Sequence, residues 1–120
     1  MKTALITGAS RGIGNSVALE FKDKGYSVIG TATSKDGAEI LNKNGIEGYV
    51  LDLSSKDSIE EFWSSLEESG KDISVLVNNA GITRDNIVLR MSDEEWEDIM
   101  SVHLYGTFQL SKKALKMMLK

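Results

Sequence analysis

The chain has 120 residues, with 18 acidic and 14 basic side chains and a net charge of −4. That leaves room for one domain and gives no electrostatic reason to expect a nucleic acid or an anionic membrane as partner. It has no cysteine, which excludes disulfides, thiolate nucleophiles and zinc-thiolate centres. The first strand-like run begins at Lys2 and no apolar run reaches membrane-spanning length, so the expectation is a cytoplasmic protein without signal peptide or membrane anchor.

Lys2 to Thr7 (KTALIT) is a short apolar run that stops at glycine, as a buried strand does. From Gly12 to Lys24 the apolar positions Ile13, Val17, Leu19 and Phe21 predict a helix, closed by Lys24-Gly25. Tyr26 to Ala32 is a second strand, Asp36 to Lys43 a short helix stopped at Gly45, and Ile46 to Leu53 a third strand. Ser54 or Ser55 can cap the next helix, whose apolar stripe is Ile59, Phe62, Trp63 and Leu66 and which Gly70 ends. Ile73 to Asn78 is a fourth strand, running into Asn79-Ala80-Gly81.

A polar loop, Thr83 to Asn86, and a short apolar piece from Ile87 to Met91 follow. Ser92 with Glu95 forms a capping box. It opens a helix predicted to run without a stop to Lys120, with Trp96, Ile99, Met100, His103, Leu104, Thr107, Phe108, Ser111, Leu115 and Met118 near one face. Trp63 and Trp96 are both expected to pack inward. The alternation of strand and helix predicts right-handed βαβ units. The fold class is α/β: a Rossmann-type, doubly wound parallel sheet represented by its first four strands, in the order 3-2-1-4, with flanking helices.

The chemistry-bearing motif is TGASRGIG, residues 7 to 14. Glycines at Gly8, Gly12 and Gly14, between a strand and a helix, let the backbone turn tightly and approach a pyrophosphate, to which the helix N-terminus offers free N–H groups. Dinucleotide-binding folds of this type read the adenosine ribose near the end of the second strand, where an acid accepts from a 2′-hydroxyl and repels a 2′-phosphate. Here the strand ends Thr31-Ala32-Thr33-Ser34. Arg11 can reach the same place with a planar guanidinium suited to phosphate. The combination favours NADP over NAD. Asp36 has the nominal spacing of the NAD acid but sits past the strand end, where a helix-capping role is the competing reading. Asp52 has two open readings, acceptor for an adenine amino group or turn residue before Ser54-Ser55. No His, Asp and Glu cluster has metal-ligand spacing.

TGASRGIG followed by NNAG at 78–81 resembles the short-chain dehydrogenase/reductase family, over all 120 residues. Within the family, GTATS (30–34), NNAGITRDN (78–86) and MSDEEWEDIM (91–100) are most similar to bacterial members that use NADPH to reduce 3-oxoacyl thioesters on acyl carrier protein in fatty-acid synthesis. The resemblance implies that Gly8, Ala9, Ser10, Arg11, Gly12, Ile13, Gly14 and Thr33 hold the phosphate side of NADP(H). It implies that Asp52 and Leu53 flank the adenine, and that Asn79, Ala80 and Gly81 line the ribose nearer the nicotinamide.

Two departures stand out. The family's catalytic tyrosine is followed by a lysine in the pattern Tyr-x-x-x-Lys, with a serine before it. The tyrosines here, Tyr26, Tyr49 and Tyr105, are followed at that spacing by Gly30, Leu53 and Gln109. The expectation is therefore a single NADP-binding domain truncated before the catalytic segment and inactive alone; with no outer neighbour for its fourth strand, it is expected to aggregate, to self-pair or to be stable only within a larger assembly. Second, His103 stands where the family usually places an asparagine that helps hold a water of the proton relay. A relay role and a partly buried histidine bonded to a backbone carbonyl are both open.

Lys112, Lys113, Lys116 and Lys120 read as charges facing the helix dipole or as a carrier-docking patch. Arg84, Arg90 and Met91 read as loop structure or as contacts to the acyl carrier. An acyl carrier protein or CoA thioester is the expected partner, and the parent is expected to be a homo-oligomer, dimer or tetramer. The alternatives are a reductase of acetoacetyl-CoA or another short-chain substrate, and a non-catalytic nucleotide-binding fragment.

Overall fold

In a computed structural model, which describes residues 2–80 and 90–119, the chain forms a parallel sheet with helices on both faces. Strands β1 (Thr3–Ile6), β2 (Ser27–Ala32), β3 (Glu47–Val50) and β4 (Ile73–Val77) lie in the order β3-β2-β1-β4. Between them run α1 (Gly12–Asp23), α2 (Lys35–Lys43) and α3 (Lys56–Glu68). After β4 come α4 (Asp93–Met100), a π-helical segment (Ser101–Gly106) and α5 (Thr107–Met118). The four-strand order and the helix alternation are those read from the sequence.

β1 is central and wholly buried, with Leu5 level with Ile29 on one side and Leu76 on the other. Because successive strand side chains face opposite ways, β1 feeds two cores. Ala4 and Ile6 join Ala9, Ala18, Val28, Ala32, Leu41 and Ile46 under α1 and α2. Leu5 joins Ile29, Ile59, Phe62, Trp63, Leu66, Val102 and Leu110 under α3 and α5. The first core is rich in alanine, which lets its helices sit close to the sheet, and the second is filled by large side chains.

Three helices start where a serine caps them. Ser34 accepts from the N–H of Gly37 (3.1 Å), Ser55 from Ser58 (3.1 Å) and Ser92 from Glu95 (3.1 Å), the last completing the expected capping box. Ser34, not Asp36, caps α2; Asp36 lies within its first turn.

The helix expected after the glycine loop forms as α1; the residues it buries are Gly14 and Ala18, while Ile13 and Leu19 are exposed. Close packing on β1 admits only small residues on the inner line of that helix. Two expectations are corrected: the long terminal helix is not continuous α-helix, and its inward line is Val102, Gly106, Leu110 and Ala114, none of them on the face predicted from sequence. Trp63 is buried at 6% exposure, but Trp96 is 54% exposed. Gly106 explains the interruption: a Cβ there would collide with the Leu53 carbonyl, so the helix backbone presses directly on the end of the β3 connection. In the widened turn the Thr107 hydroxyl donates to the Val102 carbonyl at 3.3 Å.

Candidate coenzyme site

The glycine loop leaves β1 at Thr7, whose side chain is fully buried and joins two distant segments. Its Oγ1 accepts from the N–H groups of Asn79 (3.0 Å) and Ala80 (2.9 Å), and the Thr7 N–H donates to the Val77 carbonyl (3.1 Å). Gly8 follows with φ of +63°, a conformation that favours glycine, and packs so that a Cβ would lie 2.9 Å from the Ala80 Cα. The Gly8 N–H donates to Thr31 Oγ1 (3.2 Å) and its carbonyl accepts from Asn79 Nδ2 (3.0 Å). Ala9 is buried, its N–H donating to the Thr31 carbonyl (2.8 Å) and its own carbonyl accepting from Asn15 Nδ2 (3.1 Å).

The loop is therefore tied to β2 by Thr31, to β4 by Thr7 and Asn79, and to α1 by Asn15. Gly14 fits because it has no side chain: a Cβ there would strike the Gly8 carbonyl and the Asn79 amide.

Gly8, Ser10, Arg11, Gly12, Thr33 and Ala80, with Ala32 and Asn79, line a depression of about 350 Å³. Arg11 is the N-cap residue of α1 and makes no side-chain capping bond, unlike Ser34, Ser55 and Ser92. The first N–H groups of α1 thus receive no bond from the side chain of their own N-cap residue, an arrangement suited to an anion at the mouth of the depression. Gly12, with φ of +61°, has open space where a Cβ would stand. A pyrophosphate fits this cradle. A larger hollow of about 880 Å³ runs along the outer side of α1, lined by Val17, Phe21 and Tyr26 among others; its wall is mostly apolar and is not phosphate-binding in character.

Of the residues singled out from the sequence, Gly8, Ser10, Arg11, Gly12, Thr33, Asn79 and Ala80 come together here. Ala9 and Gly14 are the packed underside of the same loop, and Ile13 points outward, exposed. Asp52 stands in a built turn: its Oδ1 accepts from the N–H (3.0 Å) and hydroxyl (2.6 Å) of Ser54, and its own N–H donates to Ser58 Oγ (2.9 Å). Leu53 is buried beneath Gly106. His103 lies in the π-helical segment and is exposed, which does not fit the partly buried histidine, one of the two readings left open in sequence. Gly81 and Arg84 lie outside the described residues.

Sequence reading assigned no role to Thr7, Thr31 or Asn15. Two signals were available: a polar residue closing an apolar strand, and a threonine in mid-strand, each needing a partner once buried. Asn78 Nδ2 donates to Ser111 Oγ (3.1 Å), tying the end of β4 to α5. Among the described residues no group of His, Cys, Asp or Glu could hold a metal, and no helix is long and apolar enough to cross a membrane.

A parallel sheet whose first loop is a glycine cradle opening at the carboxyl ends of its strands defines a dinucleotide-binding α/β protein. The chain belongs to the short-chain dehydrogenase family: the family model matches residues 2–120. It is 48% identical over 122 residues to the 3-oxoacyl-[acyl-carrier-protein] reductase FabG of Haemophilus influenzae. It is 47% identical to the enzyme of that name from Pseudomonas aeruginosa and 46% identical to that of Escherichia coli. Each match covers 99% of this chain and 50–51% of the relative, so the chain spans about half the length of the curated relatives it matches. Nicotinamide dinucleotides are the coenzyme class of the family.

Proposed function

We propose that this chain is the coenzyme-binding part of an NADPH-dependent reductase of 3-oxoacyl thioesters, carried on acyl carrier protein or CoA, working in the cytoplasm in fatty-acid synthesis. The observation that carries the reading is the meeting of Arg11 and Thr33 in the depression that the glycine loop lines, while Asp36 is not among its walls. A guanidinium and a hydroxyl there suit a 2′-phosphate, and no carboxylate among the described wall residues opposes it. The identity to reductases of the stated name supports the substrate class.

On this reading the backbone from Gly8 to Gly12 and the open N-terminus of α1 hold the pyrophosphate. Arg11 and Thr33 hold the 2′-phosphate, Asp52 and Leu53 border the adenine, and Asn79, Ala80 and Gly81 border the second ribose. The coenzyme supplies the hydride for the 3-keto carbon. The 120 residues hold no Tyr-x-x-x-Lys pair, so proton donation is assigned to residues outside them, with His103 positioning a water on the helix.

Isothermal titration of the chain with NADPH and NADH tests the coenzyme, and a reductase assay with acetoacetyl-CoA and an acyl-carrier substrate, on protein that includes the Tyr-Lys segment, tests the reaction. NADPH is expected to bind more tightly, and Arg11→Glu to remove the preference. Equal affinity for the two coenzymes, unchanged by Arg11→Glu, would overturn the coenzyme assignment.

A further inference from the structure

Gly37, in the first turn of α2, is a glycine for which the backbone has no need. It is not among the residues with positive φ, and glycine within a helix is less favourable than alanine. Space explains it. A Cβ at Gly37 would lie 2.7 Å from the Ala32 Cβ and 3.4 Å from both Ser10 Oγ and Ser34 Oγ. The methyl of Ala32 is fixed directly to its strand backbone, so it cannot swing aside as the end of a long side chain would.

The neighbours of Gly37 are walls of the glycine-loop depression: Ser10, Ala32 and Thr33 all line it. Ala32 ends β2 and is held there, its carbonyl accepting from the Leu51 N–H at 2.8 Å. Ser34 opens α2, its hydroxyl accepting from the Gly37 N–H at 3.1 Å. Thr33 is thus the single residue between a fixed strand end and a capped helix. The position it takes is set by how closely Gly37 approaches Ala32. That approach buries Gly37 and Ala38, while Thr33, Ser34, Lys35 and Asp36 stay exposed.

We propose that Gly37 is a positioning residue for coenzyme choice: by letting α2 lie against Ala32 and Ser10, it holds Thr33 where its hydroxyl meets the 2′-phosphate. The proposal rests on the NADPH reading and adds to it a residue that is not itself a wall of the depression. A side chain at position 37 forces the first turn of α2 outward, because the sheet pins Ala32. Ser34 moves with the helix that it caps, and Thr33 is drawn after it. A coenzyme without the 2′-phosphate makes no use of the Thr33 hydroxyl and is indifferent to the movement. The signature is therefore lost discrimination, a difference between two affinities, and not lost binding.

Calorimetric titration of the 120-residue chain with NADPH and with NADH tests it. Gly37→Ala is expected to weaken NADPH about tenfold, in line with one hydrogen bond to a charged group, and to change NADH by less than about twofold. Ala32→Gly removes the methyl that the new side chain meets, so Gly37→Ala/Ala32→Gly is expected to recover most of the preference. In a Thr33→Ala background, which already lacks the hydroxyl, Gly37→Ala is expected to weaken NADPH no further. A purely structural role would instead lower both affinities together and would persist in that background. Circular dichroism checks folding; if Gly37→Ala is unfolded, Ala32→Val, which crowds the same contact from the strand side, is read in its place.

An unaltered chain with no preference for NADPH removes the coenzyme reading and this proposal with it. An intact preference in Gly37→Ala, an equal loss of both coenzymes, or a double variant that recovers nothing would overturn the proposal alone.

Discussion

Asn79 Nδ2 donates to the carbonyl of Gly8, 71 residues earlier, at 3.0 Å. One amide thereby fixes the distance between the glycine loop and the end of β4, and the Asn79 N–H adds a second link through Thr7 Oγ1. The two motifs that stand out in the sequence are one structural unit, clamped before any ligand arrives.

Thr7 is the more sensitive half of that clamp. Thr7→Val keeps the shape but leaves the Ala80 N–H without its acceptor, which is expected to cost about 1–3 kcal/mol. Thr7→Ser retains the oxygen and should cost less. Urea unfolding midpoints of the two variants check the order; equal midpoints would show that the hydroxyl contributes no net stability.

Gly12 and Gly14 should part company when each is replaced by alanine. At Gly14 the new methyl collides with the Gly8 carbonyl and the Asn79 amide, so the clamp must open and the folded state is expected to be lost or severely weakened. At Gly12 nothing stands in the way, and only the left-handed backbone is strained, at about 1–2 kcal/mol. Thermal melts followed by circular dichroism separate these outcomes. A Gly14→Ala protein melting near the unaltered temperature would contradict the packing described.

The two tryptophans give a similar contrast. Trp63→Ala empties a site in the larger core and is expected to cost about 3–5 kcal/mol. Trp96→Ala should leave the unfolding free energy of the monomer within about 0.5 kcal/mol, as surface changes do. Chemical denaturation at low protein concentration checks the contrast.

Tyr49 supplies a pH dependence. Burial, then the charge of Glu47 and the hydrogen bond to its carboxylate, raise the phenol above its usual value of 10.0. The unfolded chain therefore releases this proton first as pH rises. The contribution of Tyr49 to stability is full below about pH 10 and is lost as pH climbs through the higher folded value. The stability difference between the unaltered chain and Tyr49→Phe should shift against the tyrosine above pH 10. A difference flat from pH 9 to 11.5, measured by urea unfolding, would remove Tyr49 from the alkaline response.

His103→Asn should keep turnover within about tenfold in protein that carries the Tyr-Lys segment, since either side chain can hold a water. Steady-state NADPH oxidation checks this. A loss of several orders of magnitude would give the imidazole a specific chemical duty.

Much of the architecture was legible before any coordinates. Glycines at Gly25, Gly45 and Gly70 end helices with φ between 75° and 92°, and Ser55 and Ser92 begin them, because these signals act over a few residues. The glycine loop was legible for the same reason: its chemistry is carried by its backbone. Asp52 remained open between two roles in sequence, and the structure adds a turn in which its Oδ1 is already bonded to Ser54.

Other features depended on which helix met which strand. The sequence by itself determined the strand–helix alternation, the cap positions and the phosphate-cradle pattern, since each depends on local backbone preference or on a short period of apolar residues. Only the tertiary structure decided that Trp63 is core and Trp96 is surface, that α1 buries Ala18 rather than Ile13, and that the long helix widens at Ser101–Gly106. Those outcomes follow from the close approach of Gly106 to Leu53 and of α1 to β1, contacts between segments far apart in the chain that no periodicity within either segment records.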